Sequence, residues 1–513
     1  MRTSKSIKNA SISFITYTLT VFISFIAQRI FIFLLNEEYL GLNSLLSNII
    51  SILSIAELGI GEAIIFNLYN PISKNDYNQI NKLLKFYKKS YQFIAAIIFI
   101  LGLCLITFLG FFVGNLSINV NIQIVFILFL LQTVFTYLFS YKRSILFATQ
   151  NNYIITIVHF IYVIFLNVFQ LSILYFTRDF YLYLIIKIIF TIVENIIVNF
   201  IANKKFSYLD DNFTDKLDKE TEKDIYNRIK ALMLHKVGGA VVNGTDNLFI
   251  SKFINVVTVG LYSNYFLIIN SVRTLFSQIL NSITASVGNL LVESDSNKSF
   301  DIYKKIRFLN FIVSSFTSIC LLLLLQPFIV IWLGDKFLLS YIVIVILIIN
   351  HYQKMMRSCN DTFMVAAGIC VENRFVPILE SILNIIFSYI FVKIFGLAGV
   401  FMGTIISGLA LWCYSYPKFV YKKLFNRSYL DYAKETLGYI LLFILLAGGT
   451  YYLSTFFVFN NVWIQLFVNA LIAVIVPNVI LVILFWRTEE FKYFFNLGMN
   501  ILSKIKNKIL KHA

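Results

Sequence analysis

Charge is scarce in this sequence. Asp, Glu, Lys and Arg make up 13% of its 513 residues, where an average soluble domain carries roughly 25%. A chain this long with so few charges is excluded from the ordinary water-soluble class. Cysteine is thin as well: Cys104, Cys320, Cys359, Cys370 and Cys413 lie far apart, with no Cys-x-x-Cys pair. That spacing offers neither a disulfide framework nor a thiolate metal site. Gly-x-Ser-x-Gly, a Walker loop and any His-rich or Asp-rich cluster are all missing, so no catalytic residue, metal site or ATP-binding domain is assigned. The chain reads as a non-enzyme. Of its five prolines, Pro327 and Pro477 fall inside apolar runs, where they predict kinks.

Apolar residues are plentiful. They make up 59% of the chain, with 53 Phe and 30 Tyr, and the mean hydropathy is +0.79. Fourteen runs approach or exceed the roughly 20 residues a membrane-spanning helix needs. They cover 11–35, 41–69, 91–113, 120–148, 153–176, 180–202, 231–253, 258–290, 307–333, 338–367, 374–395, 397–421, 437–458 and 463–486. The fold expected is therefore an all-α polytopic membrane protein. No small-residue cleavage site follows the first run, which reads as a retained span and not a signal peptide.

The basic residues orient this map. With the N-terminus inside, 35 of the 43 Lys and Arg residues fall in cytoplasmic segments, and only Arg178 and Lys336 lie on the other side. That asymmetry is the positive-inside rule, and it places both termini in the cytoplasm. The net charge of +17 then reflects topology and attraction to anionic lipid more than any nucleic-acid partner. External connections are short and leave no room for an outer domain. The longest polar stretch, KKFSYLDDNFTDKLDKETEKDIYNRIK, forms a connector over 203–230. The tail 487–513 ends in NILSKIKNKILKH, which predicts an amphipathic helix on the inner leaflet.

An internal repeat divides the chain. EYLGLNSLLSNIISILS (38–54) aligns with VTVGLYSNYFLIINSVR (257–273), so that Gly41, Leu42 and Ser44 match Gly260, Leu261 and Ser263 at an offset of 219. Six spans separate the two segments, an even number, which makes the halves parallel repeats. The expected organisation is a six-helix lobe over 1–202, the connector, a second six-helix lobe over 231–421, two added helices within 422–486, and the tail.

Ionisable residues inside the apolar spans are costly and normally face a cavity or a partner. Glu57 lies sixteen residues past Gly41 and Arg273 thirteen past Gly260. Arg29 precedes Gly41 by twelve residues and Asp246 precedes Gly260 by fourteen. Each half thus offers one acid and one base at similar depth, with the signs exchanged. Glu62, about 140° around a helix from Glu57, faces elsewhere. His235 and Lys236 open the seventh span, which Gly238, Gly239 and Gly244 loosen. Lone His159 and His351 read as structural.

The stretch EEYLGLNSLLSNIISILSIAELGIGEAIIFNLYNPI, with YKKSY, GTDNLFISKF, VGLYSNY and QPFIVIWLG further on, resembles the Wzx-type polysaccharide flippases. These belong to the multidrug/oligosaccharidyl-lipid/polysaccharide (MOP) exporter superfamily. The resemblance runs from about residue 7 to 420. It implies a V-shaped, MATE-like transporter of two pseudo-symmetric bundles, acting as a monomer, with a cavity lined by spans 1, 2, 7 and 8. Its cargo would be an undecaprenyl-diphosphate-linked oligosaccharide for O-antigen, capsule or a related glycan. The cargo would cross the bacterial inner membrane and pass to polymerase machinery. On that reading Arg29, Arg273 and Lys236 would hold the diphosphate. Glu57, Asp246 and Glu62 would act as counter-ions or couple transport to Na+ or H+; no other cofactor is implied. The alternatives are a MATE-like multidrug or cation antiporter on the same fold, and a membrane polymerase or ligase of oligosaccharide units.

Overall fold

A computed structural model describes residues 2–57, 59–114, 116–210, 213–369 and 372–510. The chain is a multi-pass membrane protein, helical throughout and without a strand among the described residues. Ten helices are long and apolar enough to cross a membrane. The other four expected spans are also helical, within the segments 37–74, Lys219–Phe253, Val256–Glu293 and Tyr341–Ala366. Three of these four carry Glu57, Asp246 and Arg273. Large apolar side chains stay exposed on the helices, among them Phe33, Phe176 and Ile483, as suits surfaces solvated by lipid tails.

Short polar caps punctuate the helices. Helix α1 (Arg2–Leu35) stops at Asn36, whose backbone turns to a positive φ of 89°. The Asn36 side chain then accepts hydrogen bonds from the amides of Glu38 and Tyr39 at 2.9 and 3.3 Å, opening α2 (Glu37–Leu53). Asn121, Asp179 and Asn461 do the same for later helices. Each satisfies amides that a helix start leaves without partners.

Three expected spans, 41–69, 91–113 and 120–148, are not continuous. The stretch read as 41–69 breaks after α2 into a tight 3-10 turn, Ser54–Glu57, and Gly59 at φ 80° leads into α3 (Ile60–Lys74). Glycine adopts that backbone conformation without steric cost. Later elements are α4 (Tyr77–Ile106), α5 (Leu109–Val113), α6 (Ile122–Phe139), α7 (Arg143–Ala148), α8 (Asn152–Thr177), α9 (Phe180–Lys205), α10 (Lys219–Phe253) and α11 (Val256–Glu293). They continue with α12 (Ser296–Leu333), α13 (Tyr341–Ala366), α14 (Val376–Phe395) and α15 (Leu397–Ala410). A π-helical stretch, Leu411–Leu424, extends α15, followed by α16 (Tyr429–Ser454), α17 (Val462–Phe485) and α18 (Glu489–Leu510).

The chain folds into two compact units, each built from discontinuous stretches. The first comprises Met1–Ser271 with Arg374–Ser407, the second Val272–Asn373 with Gly408–Ala513. In the first, α1 packs on α8, α4 on α6, α6 on α9, and α10 on both α2 and α14. In the second, α12 is the hub and packs against α13, α16 and α17.

A buried arginine ties that hub together. Arg307, placed by sequence at the loop edge of a span, lies about three turns inside α12. Its Nη1 is 2.8 Å from Glu435 Oε2 and its Nη2 donates to Thr436 Oγ1 at 2.6 Å. The Tyr421 hydroxyl accepts from Arg307 and donates to the same Glu435 oxygen at 2.5 Å. The guanidinium also lies over the rings of Tyr421, Tyr432 and Tyr439, at 5.0 to 5.5 Å. A guanidinium held by a carboxylate, hydroxyls and ring faces keeps its charge in an apolar interior.

Candidate transport site

The repeat appears in the first unit as a direct contact between its two copies. A methyl group on Gly41 would come within 2.0 Å of the Val256 carbonyl oxygen, and one on Gly260 within 2.2 Å of the Glu37 carbonyl oxygen. Glu37 and Val256 are themselves separated by 219 residues, so the two close approaches are equivalents of one another. Ser263 donates to Ser44 at 2.7 Å, again joining equivalent positions. Contacts of this reciprocal kind are what a two-fold relation produces, and only glycine allows the backbones so near.

Beside this contact lies a cavity of about 270 Å³, bordered by α1, α2, α10 and the first turns of α11. These are the spans 1, 2, 7 and 8 of the sequence. Its walls are rich in neutral polar groups: Gln28, Asn43, Asn48, Asn247 and Asn270, with Ser44, Ser47 and Ser263. Tyr262 and Phe266 supply aromatic surface, and Asp246 is the one carboxylate among the described lining residues. The Oδ1 atom of Asn247 is buried with no hydrogen-bond partner among the described residues. An orphaned buried acceptor carries a desolvation cost that a donor entering the cavity would relieve.

Asp246 is buried and sits in a chain of hydroxyls and amides. Thr404 donates to its Oδ1 at 3.1 Å, Asn384 Nδ2 donates to Thr404 at 3.1 Å, and Thr245 donates to Asn384 Oδ1 at 3.0 Å. This chain joins α10, α14 and α15. Close packing supports it, because a methyl group on Gly238 would lie 2.5 Å from Pro377.

Glu57 stands on the 3-10 turn that breaks the second span. Its Oε1 accepts from the Tyr91 hydroxyl at 2.5 Å and its Oε2 from the Tyr137 hydroxyl at 3.2 Å. Tyr87 packs edge-on against Tyr91, with ring centroids 4.3 Å apart. Gly61 makes room for this cluster: a methyl group there would lie 3.1 to 3.3 Å from the Tyr87 and Tyr91 hydroxyls and Glu57 Oε1. The carboxylate is thus solvated by phenols from α4 and α6.

Arg29 is exposed on α1 and holds no ion pair among the described residues. Arg273 is half-buried and lies in the second unit, two residues past its boundary. The side chains of Lys236 and Glu62 lie outside the described residues, although the helices that carry them are described.

One ionic cluster escaped the sequence reading. Glu194, an acid within the apolar run FTIVENIIVNF, is buried on α9. It lies 3.0 Å from Arg143 Nη2 on α7 and 3.1 Å from His159 Nδ1 on α8. His159 is therefore not a lone histidine. The rule that singled out Glu57, an acid inside an apolar span, would have found Glu194 as well.

No protein-family model and no curated sequence matches the chain. Solved structures do. The MurJ lipid II flippase in an inward closed conformation superposes with a TM-score of 0.64 at 15% identity, covering 92% of this chain and 99% of that one. The Vibrio cholerae MATE transporter VcmN gives 0.57 at 14% identity, over 82% of this chain and 99% of its own. A Pyrococcus furiosus MOP-superfamily transporter, for which a binding pocket of reverse polarity suggests a different function, gives 0.54 at 14% identity, over 79% and 92%. The chain has the fold shared by the transporters of the MOP superfamily, MATE proteins and the MurJ flippase among them.

Proposed function

We propose that the protein moves a lipid-linked oligosaccharide, carried on undecaprenyl diphosphate, across the bacterial cytoplasmic membrane by alternating access. The observation that carries this reading is the cavity beside Gly41 and Gly260. Amides, hydroxyls, an orphaned Asn247 acceptor and two aromatic faces form the kind of lining that hydrogen-bonds and stacks on a sugar. A cationic drug would call for several carboxylates, and Asp246 is the single one among the described lining residues.

In this reading Arg29, Arg273 and Lys236 meet the diphosphate, and both termini lie in the cytoplasm. Glu57 is the first candidate for coupling to H+ or Na+, since two neutral phenols hold it and gaining a proton or an ion changes only local bonds. Asp246 is the second.

The test is depletion of the protein in its host, with lipid-linked oligosaccharides assayed by leaflet. Complete single repeat units should accumulate on the inner face while surface glycan is lost. Single units reaching the outer face unpolymerised would point to a polymerase or ligase. Unchanged lipid-linked sugars with rising sensitivity to cationic dyes would select the antiporter. Transport by Glu57→Gln that stays intact and gradient-dependent would remove Glu57 from the coupling role.

A further inference from the structure

A second cavity, of about 500 Å³, opens in the first unit at the lysine-bearing end of α4. Lys82, Lys85 and Lys89 occupy one face of that helix, at spacings of three and four residues. Lys216 and Lys219 face the same cavity from the connector and the first turn of α10. Five lysines thus converge, against two carboxylates on the lining, Asp215 and Glu222. Among the described residues no ion pair engages Lys82, Lys89, Lys216 or Lys219.

The cavity is also built, not merely a charged surface. Lys85 donates to the Thr214 carbonyl, and Asn81 Nδ2 donates to the Tyr208 carbonyl at 2.9 Å while Asn81 Oδ1 accepts from the Asp210 amide at 3.1 Å. Tyr77 stacks on Tyr208 with centroids 4.3 Å apart. These contacts pin the connector along α4. The lining also carries apolar surface: Phe86 meets Tyr226 edge-on at 6.0 Å, and Phe93 and Ile60 border the same cavity. A lining that combines lysines with aromatic rings suits an amphiphile whose head is a phosphate and whose body is apolar.

The geometry points to a binding site for a phosphate-bearing lipid headgroup between α4, the connector and the start of α10. Lysines act as point charges toward phosphate, and basic pockets between spanning helices take anionic headgroups in this way. The charge on such a ligand could come from an anionic phospholipid, a prenyl diphosphate or a free phosphate. This site is separate from the cavity beside Gly41 and Gly260 and stands whatever that cavity carries.

The test uses the full-length protein in neutral detergent, with binding of short-chain phosphatidylglycerol, farnesyl diphosphate, inorganic pyrophosphate and short-chain phosphatidylcholine measured in parallel. Lys82→Gln/Lys89→Gln should weaken the phosphate probes about tenfold or more and leave phosphatidylcholine unchanged. Lys216→Gln/Lys219→Gln, two exposed positions, should do the same and guards against a folding defect in α4. Tighter binding of farnesyl diphosphate than of pyrophosphate or phosphatidylglycerol assigns the site to prenyl diphosphates; preference for phosphatidylglycerol assigns it to membrane lipid. Binding of pyrophosphate as tight as either lipid assigns it to free phosphate and overturns the headgroup assignment. No binding of any phosphate probe, or equal binding by wild type and both variants, overturns the site altogether.

Discussion

The second and eighth spans begin alike and end differently. Each opens at a glycine, Gly41 or Gly260, packed against the backbone of the other copy. From there α2 runs only to Leu53 before the chain tightens at Ser54–Glu57, whereas α11 continues unbroken to Glu293. The residue of α11 equivalent to Glu57 is Phe276. A phenylalanine needs no hydrogen bonds inside a membrane. A carboxylate does, and the turn presents Glu57 to two tyrosine hydroxyls. The repeat constrains what the copies share, their mutual contact, and leaves free what each places at depth.

The largest effect should come from that shared contact. Gly41→Ala and Gly260→Ala each push a methyl group into a carbonyl oxygen, and each should cost about 3 kcal/mol, the upper end for overpacking. Thermal unfolding of the purified variants would check this. If one glycine tolerated alanine and the other did not, the reciprocal relation between the copies would be lost.

Next comes the break. Glu57→Ala leaves the Tyr91 and Tyr137 hydroxyls without their acceptor and should destabilise by about 1–3 kcal/mol. Glu57→Gln keeps an acceptor and should cost less. The same substitution in the unbroken copy, Phe276→Gln, has no phenols to lose; an effect there with the same signature would dissolve the contrast. Gly61→Ala should fall below Glu57→Ala, at about 1 kcal/mol, because the phenols need to shift only by tenths of an ångström.

The smallest effect belongs to Ser44 and Ser263. Each alanine substitution should cost about 1 kcal/mol, and a double-mutant cycle should return a coupling of similar size. Zero coupling would mean that the 2.7 Å contact contributes no specificity to the interface.

Much of the spanning pattern was legible, because apolar length is a local property. The run 11–35 matches Ser11–Leu35 of α1, and 153–176 matches α8 to within a residue at each end. Glu57 and Asp246 stood out for the same reason: an acid in an apolar run is visible one residue at a time. Their partners were not visible. Tyr91 and Tyr137 are two among 30 tyrosines, and nothing local marks them as the pair that reaches a carboxylate 34 and 80 residues away. Arg307 was hidden differently. It sits at the polar edge of an apolar run, and only the approach of α16 encloses it.

The sequence by itself determined that this chain crosses a membrane many times, which ends carry the positive charge, and where two glycines recur at an interval of 219. Those features follow from composition and spacing, which transfer to lipid without reference to neighbours. Tertiary structure alone decided that the two glycines meet, that the second span breaks at a glutamate, and that amides from four helices enclose one cavity. Each depends on atoms distant in the chain coming within hydrogen-bond or van der Waals range, and those forces act over a few ångströms of space whatever the separation in sequence.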